Sequence, residues 1–121
     1  MEKNQSSKPY DLEDRTLAFA RNARELIKKL PKTITNVEDC KQLARASGSI
    51  GANYIEANEA ISKKDFAHRI KICRKESKES VFWLKLIDVG GKQDLENERV
   101  RLIDEGNQLM KIFSAIMRKS S

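Results

Sequence analysis

Apolar and small residues recur along this chain at alternating steps of three and four, the spacing that keeps one side of an α-helix facing a partner. Leu12, Thr16, Phe19, Ala23, Leu26 and Leu30 form the first such seam, and Pro31 closes it. Asp11 stands where an N-cap belongs. Glu13 and Asp14 follow in the first turn and Lys28 and Lys29 occupy the last, as the helix dipole favours. A second seam runs Val37, Cys40, Ala44, Ser47, Gly51, Tyr54, Asn58, Ile61, with Leu43, Ile50 and Ala57 beside it. Thr35 to Glu38 has the form of a capping box that would open this helix. The third seam is Phe66, Ile70, Cys73, Ser77, Val81, Leu84 and Ile87, capped by Ser62 and ended by Gly90-Gly91. The fourth is Leu95, Arg99, Leu102, Gly106, Leu109, Phe113 and Ile116, with Asp94 as its expected cap.

These seams predict helices over about 12–30, 36–60, 63–89 and 95–118. Short links make successive helices antiparallel neighbours, so the expected fold is all-α, an antiparallel up-down four-helix bundle over residues 11–119. Residues 1–10 read as a flexible N-terminal tail. A chain of 121 residues holds one modest core, and 39% hydrophobic with 35% charged residues suits helices that each leave more than half their circumference in water. No apolar run is long enough for a membrane span, and MEKNQSSKPY lacks the apolar core of a signal peptide. A cytoplasmic protein is expected, with Cys40 and Cys73 reduced and acting as small hydrophobes.

The middle of the second helix is unusual, because Ala44, Ala46, Ser47, Gly48, Ser49, Gly51 and Ala52 are all small. Each interior glycine costs roughly 1 kcal/mol against alanine, so a compensation is expected. Close approach of a neighbouring backbone would supply one; a bend in the helix is the other reading.

Charge then sharpens the picture. Residues 1–60 carry ten Lys/Arg against nine Asp/Glu, whereas residues 61–121 carry fourteen against nine. At about 100° per residue, Lys64, Lys71, Lys75, Lys78 and Lys85 share one strip of the third helix, nearly opposite its core seam, with Lys63 and Arg74 at the edge. Lysines often do no more than solvate the back of a bundle helix. Spaced point charges along a rod can also track phosphates whatever the base sequence. No aromatic residue interleaves with the strip on this reading, which argues against stacking of single strands. Zinc-finger spacing is absent, and such long helices argue against a helix-turn-helix.

Between core and strip lies a third stripe of Ile72, Glu76, Glu79, Trp83 and Leu86. Trp83 either completes the edge of the core or anchors self-association, with Glu76 and Glu79 meeting basic groups of a neighbour; the second is the favoured expectation. Catalysis finds little support. A di-metal carboxylate site needs two Glu-x-x-His-type motifs, and His68 is the single histidine. Cys73 and His68 fall on different faces, and no phosphate-cradling glycine loop is present. The expectation is no enzyme, no catalytic residue, no metal and no cofactor.

The run Ser49-Ile50-Gly51-Ala52-Asn53-Tyr54-Ile55-Glu56-Ala57, followed by Lys64-Asp65-Phe66, Lys75-Glu76, Glu79-Ser80 and Trp83-Leu84, resembles the proteins encoded in intervening sequences of bacterial 23S ribosomal RNA genes, the S23 family. The resemblance spans about residues 10–118. It implies a bacterial up-down bundle, commonly a ring-shaped homopentamer, with no established enzymatic activity. A more distant similarity is to the accessory variability determinant of diversity-generating retroelements. That likeness implies nucleic acid, and a nucleic-acid-processing protein such as a reverse transcriptase, as partners. Ser49, Asn53, Glu56, Glu76 and Glu79 match polar positions of the family and imply inter-helix or inter-subunit hydrogen bonds. The family often carries Asn-Ile-Ala-Glu-Gly where this chain has Asn53-Tyr54-Ile55-Glu56-Ala57, so no role passes to the missing glycine. Two functions therefore stand open: an oligomer binding RNA or DNA with little sequence preference, and a protein–protein scaffold with no nucleic-acid role.

Overall fold

The computed structural model describes residues 11–120; the expected tail at 1–10 lies outside them. Four helices follow in order: α1 (Leu12–Lys29), α2 (Ile34–Asn58), α3 (Lys63–Leu86) and α4 (Gln93–Ser120). Each packs on the next and α1 returns to α4. Contacts of rising against falling residue number, such as Arg15 with Glu105 and Lys29 with Glu98, make the neighbours antiparallel. This is the expected up-down four-helix bundle.

The seams of α1, α3 and α4 supply the core. Phe19, Leu26, Ile70, Cys73, Leu84, Leu109 and Phe113 are sealed from water, and Tyr54 lies tilted against Phe113 with ring centroids 6.0 Å apart. Burying each large aliphatic or aromatic side chain contributes about 1.5–3 kcal/mol. α2 sits rotated from the expected register. Its buried face is Leu43, Ala46, Ser47, Ile50, Tyr54 and Ala57, while Val37, Asn58 and Ile61 point to water. The stripe read as flanking, Leu43, Ile50 and Ala57, is fully buried, and of the expected seam Ser47 and Tyr54 join it.

Capping explains most of the boundaries. Thr33, not Thr35, caps α2 by accepting from the Asn36 amide at 3.2 Å, so the helix starts earlier than the capping-box pattern placed it. Ser62 caps α3 as expected, accepting from the Asp65 amide at 3.0 Å. Asp11 precedes α1 without a side-chain cap bond, and Asp94 lies inside the first turn of α4. α3 stops at Leu86, where Ile87 turns extended, and Gly90 and Gly91 carry the chain round with φ of 69° and 73°. That left-handed backbone is what glycine permits.

One buried side chain ties two links together. Asn36 donates through Nδ2 to the Pro31 and Asp88 carbonyls, and its Oδ1 accepts from the Asp88 amide, at 2.8 to 2.9 Å. The α1–α2 and α3–α4 links are thereby fixed side by side at one end of the bundle.

Of the two glycines of α2, Gly51 marks a close approach. A Cβ there would sit 2.9 Å from Thr16 Oγ1 of α1, whereas at Gly48 it would meet the guanidinium end of Arg24 at 3.2 Å. α2 runs unbroken through both, so close packing is the compensation at Gly51.

Candidate nucleic-acid interface

α3 presents three different sides, and its partners assign each. Its core side is the seam already described. On the side toward α2, Arg45 reaches Glu76 at 3.5 Å and Glu79 at 3.2 Å. Glu76 is only 5% exposed, and a carboxylate so enclosed requires a paired charge. Further along, Arg69 donates to Asn53 Oδ1 at 3.0 Å, and Asn53 Nδ2 donates to Ser49 Oγ at 3.0 Å. The polar residues Asn53, Glu76 and Glu79 thus join α2 to α3 within one chain. Arg45 of the same chain is within ion-pair distance of both carboxylates, while Glu76 Oε1 has no hydrogen-bond partner. Trp83 packs half-buried against the core, Ile72 is half-buried, and Leu86 is 52% exposed.

The third side carries the lysines. Lys71, Arg74, Lys75 and Lys78 line a groove of about 770 Å³ with His68 and Ile72 of α3 and Met110 and Ser114 of α4. Lys64 and Lys85 extend the strip toward the ends of α3, over about 32 Å of helix at 1.5 Å per residue. All are exposed except Arg74, which is half-buried in the groove wall. Six cations elsewhere are paired: Arg15 with Glu105, Lys28 with Glu25, Lys29 with Glu98, Lys41 with Glu38, Arg45 with Glu76 and Glu79, and Arg99 with Glu96. Among the described residues, no carboxylate pairs with Lys64, Lys71, Arg74, Lys75, Lys78 or Lys85. The strip is a concentrated positive field with its own counter-charges turned away.

One residue of this side escaped the sequence reading. Phe82 stands 55% exposed beyond Lys78, its ring edge-on to Trp83 with centroids 5.0 Å apart and planes at 80°. Four residues after Lys78 and seven after Lys75, it falls in the lysine arc. The statement that no aromatic interleaves with the strip is corrected accordingly. The spacing was there to be read.

The thiols and the histidine lie apart. Cys73 is enclosed, its thiol against the Ile50 carbonyl at 3.4 Å, and burial pushes its pKa up to about 12. Burial also raises the half-buried Cys40 thiol. His68 is exposed in the groove, on a different side of α3 from Cys73. Among the described residues, no three His, Cys, Asp or Glu side chains gather as a metal site, and no helix is long and apolar enough to cross a membrane.

Comparison with known proteins accords with this architecture. A crystal structure of a protein with unknown function from the S23 ribosomal protein family of Bacteroides thetaiotaomicron is 28% identical and superposes with a TM-score of 0.75. The match covers 87% of this chain and 96% of that one. Among curated proteins none matches. The family model described as 23S rRNA-intervening sequence protein matches residues 10–115. With nearly the whole bundle inside that match, this chain belongs to the 23S rRNA-intervening sequence protein family.

Proposed function

We propose that this protein is a non-enzymatic nucleic-acid-binding bundle that grips the phosphate backbone of RNA or DNA along α3, with little preference for base sequence. The observation that carries the reading is the gathering of Lys64, Lys71, Arg74, Lys75, Lys78 and Lys85 along one side of α3, with no carboxylate partner among the described residues. Counterion release from phosphates rewards such a strip and makes binding steeply salt-dependent. If Lys71, Lys75 and Lys78 each neutralise one phosphate of a DNA duplex, affinity falls about 40-fold between 50 and 200 mM salt, from a slope near −0.9 per phosphate.

Self-association belongs to the same reading. The flank of Ile72, Trp83 and Leu86 lies beside the strip, and repeating a weak strip around a homo-oligomer such as a pentamer raises avidity without new contacts. A nucleic-acid-processing protein as a further partner fits a surface that holds the strand by its backbone and leaves the bases readable.

The test is fluorescence anisotropy with a labelled 20-base-pair duplex at both salts, beside light scattering for oligomer mass. Reversal of Lys71, Lys75 and Lys78 to glutamate should abolish binding and leave the mass unchanged. Absence of binding at 50 mM salt, or binding indifferent to the reversals, would refute the proposal and leave the scaffold reading in its place.

A further inference from the structure

Phe82 is out of place on a helix back that otherwise carries lysines. It is 55% exposed, and Leu86 one turn further on is 52% exposed. The ring is nevertheless held, because it meets Trp83 edge-on at 5.0 Å and Trp83 packs against the core. An aromatic ring fixed by a neighbour and open on its outer side is what a nucleobase needs for stacking. The three preceding lysines of the arc are Lys78, Lys75 and Lys71, four, seven and eleven residues back. At 1.5 Å per residue their rises from Phe82 are about 6, 10 and 16 Å, comparable to successive phosphates of an extended strand. None of the three has an ion-pair partner among the described residues.

We propose that α3 takes single-stranded nucleic acid, with Phe82 stacking one base while Lys71, Lys75 and Lys78 hold the phosphates leading away from it. This deepens the phosphate-binding reading and rests on it. Charge complementarity selects the occupant: a base stacks on Phe82 only if its phosphates can reach the unpaired ammonium groups alongside. A duplex keeps its bases stacked inside and meets the lysines alone. Phe82 and Trp83 point about 100° apart around the helix, so covering the Trp83 flank by another subunit leaves the Phe82 face open.

The test compares a labelled 20-nucleotide oligo-dT with a 20-base-pair duplex at 50 mM salt, using wild type, Phe82→Ala, Phe82→Tyr and the double reversal Lys75→Glu/Lys78→Glu. Phe82→Ala should weaken the single strand about ten-fold, leave the duplex within two-fold, and leave the salt slope unchanged. Phe82→Tyr should restore most of the loss, and the reversals should weaken both ligands. Trp83 is the only tryptophan. Its emission should therefore change when oligo-dT binds and stay constant with the duplex. Equal affinity of Phe82→Ala and wild type for oligo-dT, or equal weakening of both ligands, overturns the stacking role even if the reversals act. A Phe82→Ala protein that falls to a smaller oligomer assigns the ring to a second copy instead and overturns it too. Wild type that binds neither ligand removes the phosphate-binding reading along with this one.

Discussion

Truncating Asn36 tests whether the two links at one end of the bundle are held as described. Its side chain is 2% exposed and makes three bonds to main-chain groups, two donated to the Pro31 and Asp88 carbonyls and one accepted from the Asp88 amide. At about 0.5–1.5 kcal/mol net for each, Asn36→Ala should cost about 3 kcal/mol. For a bundle of this size that lowers Tm by about 10 °C. Asn36→Asp provides a stricter check. It keeps the acceptor for Asp88 N–H but sets a carboxylate oxygen against two carbonyl oxygens, so it should cost more than alanine. Urea unfolding followed by circular dichroism measures both, and amide exchange at Asp88 should rise most in Asn36→Ala. The reasoning fails if alanine costs less than ~0.5 kcal/mol, the usual range for a surface change, or if aspartate is the milder substitution.

Two other outcomes separate neighbouring residues of the same type. Gly48→Ala should stabilise by about 0.5–1 kcal/mol, because helix propensity improves and only the flexible end of Arg24 must move. Gly51→Ala should lose that gain and more, since its Cβ would meet Thr16 at 2.9 Å; thermal melts of both, read against wild type, decide it. For the thiols, iodoacetamide at pH 8.5 should label Cys40 in the folded protein and Cys73 only after unfolding. The raised pKa of Cys73 favours its neutral form when folded. That contribution is whole below about pH 9, the ordinary thiol value, and drains away as pH rises toward about 12. Wild type should therefore lose up to about 1 kcal/mol more than Cys73→Ala between pH 9 and 10.

Much of the bundle was legible because seams at three-and-four spacing persist over whole helices. The α1 seam from Leu12 to Leu30 is buried at every position. α2 was harder to orient. Its small residues give two adjacent stripes nearly equal claim to the core, and only packing against α1 and α3 chooses Leu43, Ile50 and Ala57 over Val37 and Asn58. Thr33 and Thr35 are equally good caps in the sequence; the choice follows from where the buried Asn36 must lie. At the candidate site the lysine strip followed from angular position alone. The assignment of Glu76 and Glu79 did not, because their partner Arg45 belongs to another helix and depends on the register of α2 against α3. Phe82 was missed for a simpler reason: its arc was within reach of the same arithmetic that found the lysines.

The order of helix contacts also bears on how the chain assembles. α2 with α3 and α3 with α4 share the largest interfaces, both between helices adjacent in sequence, so they can close as successive local hairpins. α1 meets α4 least, across a groove of about 500 Å³ bridged by Arg15–Glu105 toward one end and Lys29–Glu98 toward the other. Closing that seam joins the two most distant helices of the chain and carries the largest loop-closure entropy. α1 is thus placed to arrive last in folding and to open first, as the least stable cooperative unit of the bundle. Its two ion-pair fastenings make that opening sensitive to the same salt as the phosphate binding proposed for α3, at the opposite corner of the molecule.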